Sequence, residues 1–148
     1  MAKANVKVAE PVTEEQLLAM PADDYMNDEQ MGFFRARLME MRDEVLGRET
    51  DARERLRALD ESSRTDMNDR ATSEESAWLD LRLREREAFL LSRVQKSLDL
   101  IDNGEYGYCE TTGEEIGLQR LLVRPTATQS VAAKEVAEKR KRSFRDTR

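Results

Sequence analysis

The sequence predicts a mainly α protein: a long antiparallel coiled-coil hairpin with an acidic tip, then a small globular lobe, then a C-terminal helix. Three observations predict it. Apolar residues recur at heptad spacing through residues 28–102. A polar, turn-rich stretch interrupts that span near its middle. Beyond residue 103 the texture changes to short segments rich in glycine and tyrosine, around the only cysteine.

Residues 1–27 read as a flexible N-terminal segment with a possible short helix. Thr13-Glu14-Glu15-Gln16 fits a cap for a brief helical turn ended by Pro21. Tyr25 and Met26 are expected to pack against a helix. Residues 28–102 form the coiled coil, with its tip at 61–71. On the first rod Met31, Leu38, Val45, Ala52 and Leu59 make one heptad row, and Phe34 and Met41 begin a second. Arg48 and Arg55 take the next two places in that second row, so the seam should thin toward the tip. On the second rod Leu79, Leu83, Leu90, Val94, Leu98 and Ile101 form a stripe with a gap at Arg86-Glu87. Each rod should run roughly 45 Å at about 1.5 Å per residue. Asp69 or Thr72 is expected to cap the second rod, Thr72 with Glu75 fitting a capping box. Asn103-Gly104 should terminate it.

Residues 103–129 are expected to form the lobe, with two short extended pieces and a tight turn over Glu105–Glu114. Ile116, Leu118, Leu121, Leu122 and Val123 should supply its apolar contacts, and Tyr106, Tyr108, Ile116, Leu121 and Val131 its packing. Residues 130–148 should be a basic helix. Seven Lys or Arg against three acids give residues 134–148 a net +4, which leaves −10 on the rest of a chain whose total is −6. An acidic body argues against direct DNA binding, which needs many phosphate-neutralising cations. No apolar run is long enough for a membrane span and the start lacks a signal peptide, so a cytoplasmic protein is expected. No Gly-rich phosphate loop, nucleophile–base set or repeat beyond the heptads is visible, so no enzymatic activity is expected.

Cys109-x2-Thr112 and Ser130-x2-Ala133 have the spacing of a four-cysteine zinc site, with 17 residues between the pairs. The ligands do not match it. The chain has one Cys and no His, whereas structural zinc takes four Cys or His ligands. The expectation is therefore a degenerate, metal-free lobe held by packing. Cys109 reads either as a thiol sensor or as a small apolar residue beside Tyr108.

With Tyr25-Met26-Asn27, Asp66-x2-Asp69-Arg70-Ala71, Gly107-Tyr108-Cys109-Glu110, Glu115-Ile116-Gly117 and Arg124-Pro125-Thr126-Ala127, the sequence resembles the DksA family of bacterial transcription factors. It departs from that family at three of the four cysteine positions. The resemblance implies a factor that binds RNA polymerase through its secondary channel. It also implies action with guanosine tetraphosphate (ppGpp) to destabilise initiation complexes at ribosomal RNA and amino-acid promoters in the stringent response. Asp66, Asp69, Arg70 and Ala71 correspond to the active tip. Arg86, Leu90, Arg93, Arg124 and Lys134 correspond to residues that hold ppGpp with polymerase. Phe89 stands where better-known members carry Lys. For the carboxylates the bland role is helix capping, and for each arginine a solvated helix face. A Gre-like transcript-cleavage factor using the acidic tip is one alternative, and a plain coiled-coil interaction protein another. The intramolecular hairpin predicts a monomer.

Overall fold

A computed structural model describes residues 11–62 and 67–147 and, within the helices, all side chains but those at 59, 62 and 67–73. The elements in order are α1 (Glu14–Leu18), a 3-10 turn (Ala22–Asp24), α2 (Asp28–Ser62), α3 (Met67–Asp102), α4 (Leu118–Val123) and α5 (Val131–Asp146). The chain divides into two compact units, one of residues 36–105, the other of residues 1–35 with 106–148.

The first unit is the helical hairpin. On α2 Leu38 and Val45 are buried, and Met41, Ala52 and Leu56 half-buried. On α3 Val94 and Leu98 are buried and Leu91 half-buried. Continued toward the tip at heptad spacing, the α3 row passes through Glu87, Arg84 and Asp80, all half-buried. The leucine stripe read from the sequence is therefore corrected in its outer half. Leu79 and Leu83 are 56% and 55% exposed. The register is set at the base by Leu91, Val94 and Leu98, and the gap at Arg86-Glu87 is where the two rows part. On α2 the seam likewise takes Glu49 where Arg48 was expected; Arg48 and Arg55 are exposed.

The cap expected at Asp69 or Thr72 is also corrected. α3 already begins at Met67, so both positions lie inside the helix. Once a turn is nucleated, each further residue adds a hydrogen bond at little cost, and propagation overrides an internal capping signature. At its other end α3 stops as expected. Gly104 has φ +74; its N–H donates to the Ile101 carbonyl (3.1 Å) and the Glu105 N–H to that of Leu100 (2.8 Å). This paired pattern, with glycine in the left-handed region, satisfies carbonyls that the helix end would leave open.

In the second unit Thr13 caps α1 with the expected reciprocal bonds: its hydroxyl accepts from the Gln16 N–H, and the Gln16 side chain accepts from the Thr13 N–H. α1 packs against α4, and Leu17 and Leu121 are fully buried. Asn27 caps α2, its Oδ1 accepting from the Gln30 N–H at 2.8 Å, while buried Gln30 accepts from the Met26 N–H at 2.6 Å. Phe34, at the start of α2, lies 5.6 Å from the Tyr106 ring, and both are buried.

The lobe is built from turns. Among the described residues it contains no strand. The two expected extended pieces reduce to one isolated antiparallel bridge, Tyr108–Glu115. Tyr106, Ile116 and Leu121 are buried as expected, and the Tyr106 hydroxyl donates to the Pro125 carbonyl at 2.6 Å. Tyr108, Val123 and Val131 are exposed instead. Val131 opens α5 directly after its buried cap, Ser130, and itself faces solvent. Tyr25 and Met26 also differ from expectation, because they meet the lobe's loops. The Tyr25 hydroxyl donates to the Gly107 carbonyl (2.7 Å) and accepts from the Gly117 N–H (2.9 Å). Its ring meets Tyr108 edge-on at 5.6 Å.

Candidate functional site

The residues singled out in the sequence fall into three groups. The first is the acidic tip. Asp66 lies outside the described residues. Positions 69, 70 and 71 belong to the first turns of α3. A carboxylate in a helix's first turn faces the positive end of the peptide dipoles.

The second group lies on α3. Arg86, Leu90 and Arg93 recur at intervals of four and three, which places them on one face of the helix. Arg86 and Arg93 are exposed and Leu90 is half-buried. The Arg93 guanidinium sits over the Phe89 ring, 4.6 Å from its centroid. One further pair has the same form: Arg82 sits over Trp78, also at 4.6 Å. The sequence reading noted Phe89 only as a departure and missed both pairs, although aromatic-x3-Arg on a helix was visible and is the signal that would have found them. Arg124 and Lys134 belong to the other unit. Arg124 is the exposed C-cap of α4, and Lys134 is exposed in the first turn of α5.

The third group is the four zinc-finger positions, of which the fold brings Cys109, Thr112 and Ser130 together. The chain reverses over 109–114: the Gly113 N–H donates to the Cys109 carbonyl (2.8 Å) and the Cys109 N–H to that of Glu114 (2.7 Å). The Glu110 N–H ties this turn to the Thr128 carbonyl at 2.9 Å. Ser130 and Ala133 have become a helix cap: the Ser130 hydroxyl accepts from the Ala133 N–H at 3.2 Å. Cys109 is buried and free. Burial pushes its thiol up, but hydrogen bonds from the Thr112 hydroxyl and from the backbone at Ser130, Thr112 and Thr111 outweigh that. They hold the thiol down to about 6. Donors that elsewhere steady a metal-bound thiolate can steady a thiolate here.

Among the described residues, no helix is long and apolar enough to cross a membrane.

Comparison with known proteins identifies the family of the chain. Residues 30–101 match the family model described as the DnaK suppressor protein DksA, N-terminal domain. Residues 104–139 match that of the prokaryotic dksA/traR C4-type zinc finger. The second match contradicts the expectation of a metal-free lobe without zinc: by sequence this segment is a member of the C4-type zinc-finger family. Its four positions offer one thiol, two hydroxyls and a methyl group, which do not make the four-ligand zinc set. Among the described residues no cluster of three or more His, Cys, Asp or Glu stands ready to hold a metal.

The chain is 42% identical over 130 residues to a Caulobacter vibrioides protein named RNA polymerase-binding transcription factor DksA, spanning 85% of this chain and 89% of that one. It is 39% identical over 125 residues to the Escherichia coli K12 protein of the same name, spanning 84% and 82%. Among solved structures, that of transcription factor DksA2 from Pseudomonas aeruginosa matches with a TM-score of 0.80 and 44% identity, covering 88% of this chain and 99% of that one. With both halves matched and near-full-length relatives at this identity, the chain belongs to the DksA family.

Proposed function

We propose that this protein is a transcription factor that binds RNA polymerase through the secondary channel. There it acts with ppGpp to destabilise initiation complexes at ribosomal RNA promoters and to shift output toward amino-acid promoters. The observation that carries this reading is the 42% identity, over most of both chains, to a factor named for RNA polymerase binding. The long hairpin supports it, because helices of 35 and 36 residues flank the stretch that holds the candidate tip residues, with positions 69, 70 and 71 in the first turns of α3. Asp69 is the tip residue assigned the largest share of activity.

The protein performs no covalent step. It needs only to favour one polymerase state over another, and couplings of about 1–3 kcal/mol suffice for that. For ppGpp, Arg86, Arg93, Arg124 and Lys134 supply the cations and Leu90 an apolar contact. A nucleotide with two diphosphates takes several such groups, and arginine can grip a phosphate with two bonds. The acidic body keeps the factor off DNA, the hairpin pairs its two helices within one chain, and the protein works as a monomer in the cytoplasm.

Run-off transcription from a ribosomal RNA promoter tests this. The wild type and Asp69→Asn are compared, each with and without ppGpp. Inhibition by the wild type, deepened by the alarmone and lost in the variant, is the expected result. Equal inhibition by both would remove the tip assignment. Inhibition by neither would leave only a shared fold.

A further inference from the structure

We propose that Phe89 is a positioning residue: its ring holds the Arg93 guanidinium in place to receive a phosphate of ppGpp. This inference rests on the alarmone reading above and adds to it how the site is ordered before the ligand arrives.

Arg93 is exposed on α3, and among the described residues the Phe89 ring is the group the structure sets against it. No ion pair is formed with Arg93 among those residues, so its charge is not already spent on a carboxylate. Phe89 is 62% exposed, so its ring is not a core element held for stability. A free arginine side chain samples many rotamers, and ordering it on binding weakens affinity. A guanidinium resting over a ring face has lost part of that freedom beforehand, while its N–H groups remain available to acceptors. The i,i+4 spacing makes the contact a property of the helix itself. A cation at position 89 would instead stand four residues from Arg93 and repel it.

The pair lies on the same face as Arg86 and Leu90. The Trp78–Arg82 pair, eleven residues toward the tip, has the same local geometry, but neither residue is assigned to the alarmone. It serves as an internal control for the general effect of removing an exposed aromatic from α3.

The test is the ppGpp titration of promoter inhibition, read as two quantities: the half-maximal ppGpp concentration, and the inhibition at saturating ppGpp. Damage to the fold would move both. Phe89→Leu is expected to raise the half-maximal concentration about fivefold, the factor that ~1 kcal/mol makes at 25 °C. Phe89→Tyr, which keeps a ring face, should restore the wild-type value, and Trp78→Leu should leave it unchanged. Arg93→Ala should raise it further, and adding Phe89→Leu to Arg93→Ala should then do nothing more.

If Arg93→Ala weakens the alarmone response and Phe89→Leu does not, the positioning role is wrong and the alarmone reading stands. A further loss from Phe89→Leu in the Arg93→Ala background would show that the ring acts on its own, which also overturns the proposal. If Arg93→Ala has no effect on ppGpp, the alarmone assignment of Arg93 fails first and the inference falls with it.

Discussion

Glu87 of α3 forms an ion pair with the Arg48 guanidinium of α2, Nε to Oε1, at 2.9 Å. The two ends of this bond are unequal: the Arg48 side chain is 55% exposed and that of Glu87 only 17%. Glu87 stands on the seam, beside a cleft of about 280 Å³ also lined by Val45, Arg84, Ala88 and Leu91. Arg84 carries a buried Nε that finds no hydrogen-bond partner among the described residues. The outer half of the hairpin is thus held partly by charge, where an ordinary coiled coil would place apolar residues.

Removing Arg48 should therefore cost more than an average surface pair. Arg48→Ala leaves a mostly buried carboxylate without its donor, a loss of about 1 kcal/mol once solvent screening is allowed for. Glu87→Leu replaces the same group by an apolar one and should be neutral or stabilising. Urea unfolding followed by circular dichroism separates the two, and guanidinium is avoided because its salt screens the pair. Equal losses in both variants would mean that the bond, and not the buried carboxylate, sets the energy.

Gly107 should be among the least replaceable positions of the lobe. Its φ is +92, and an added Cβ would lie 2.7 Å from Met26 Cγ and 3.2 Å from the Tyr25 hydroxyl. Met26 can swing aside, so backbone strain decides the sign. Gly107→Ala should cost about 2–3 kcal/mol. Gly113→Ala, also at positive φ but opening on free space, should cost only about 1 kcal/mol. Tyr25→Phe strips two backbone groups, the Gly107 carbonyl and the Gly117 N–H, of one shared partner and should cost about 1–2 kcal/mol. Thermal or urea midpoints rank the three, and a Gly113 variant worse than the Gly107 variant would contradict the close-approach account.

The same residues show how far the sequence could be read. The α2 heptad was legible because the row through Leu38 and Val45 continues at Met31, Ala52 and Leu59, whereas the neighbouring row through Met39 and Leu46 runs out at Gly32 and Arg53. The α3 row was not, since Leu79, Leu81, Leu83, Leu90 and Leu91 offer two registers and composition cannot choose between them. The choice is made at the base of the hairpin, by packing of Leu91, Val94 and Leu98 that no local window contains. The lobe's turn at 109–114 was visible in Gly113, but Ser130 was read as a lost zinc ligand, and its role as the α5 cap appeared only in three dimensions. For the functional residues, family resemblance marked the positions, whereas the pairing of Arg93 with Phe89 was signalled only by the i,i+4 aromatic–Arg spacing and took its geometry from the structure.

The Cys109 thiol gives the lobe a pH signature. Its pKa is lowered in the fold from 9.0 to about 6. An acid whose folded pKa is depressed adds stability that is fully present above its unfolded pKa and is lost as pH falls through the folded one. Lobe stability should therefore rise between pH 6 and 9, and Cys109→Ala should flatten that rise. Urea midpoints across this range test the stability, and thiolate ultraviolet absorbance reports the ionisation itself. A thiol that titrates near 9 in the folded protein would show that burial outweighs the donors from Thr112 and the backbone.

Leu83 and Leu98 offer the sharpest test of the α3 register, because the same chemical change is made on the same helix fifteen residues apart. Leu98 is 5% exposed and Leu83 is 55% exposed. Leu98→Ala removes packed side-chain volume and should destabilise the hairpin by about 2–4 kcal/mol. Leu83→Ala gives up little burial and gains the best helix former, so its effect should stay within about 0.5 kcal/mol. Comparable losses at both sites would place Leu83 in the seam and restore the leucine stripe that the sequence suggests. A loss confined to Leu98 would leave Leu79 and Leu83 as an outward apolar edge, and the seam beside them to Asp80, Arg84 and Glu87.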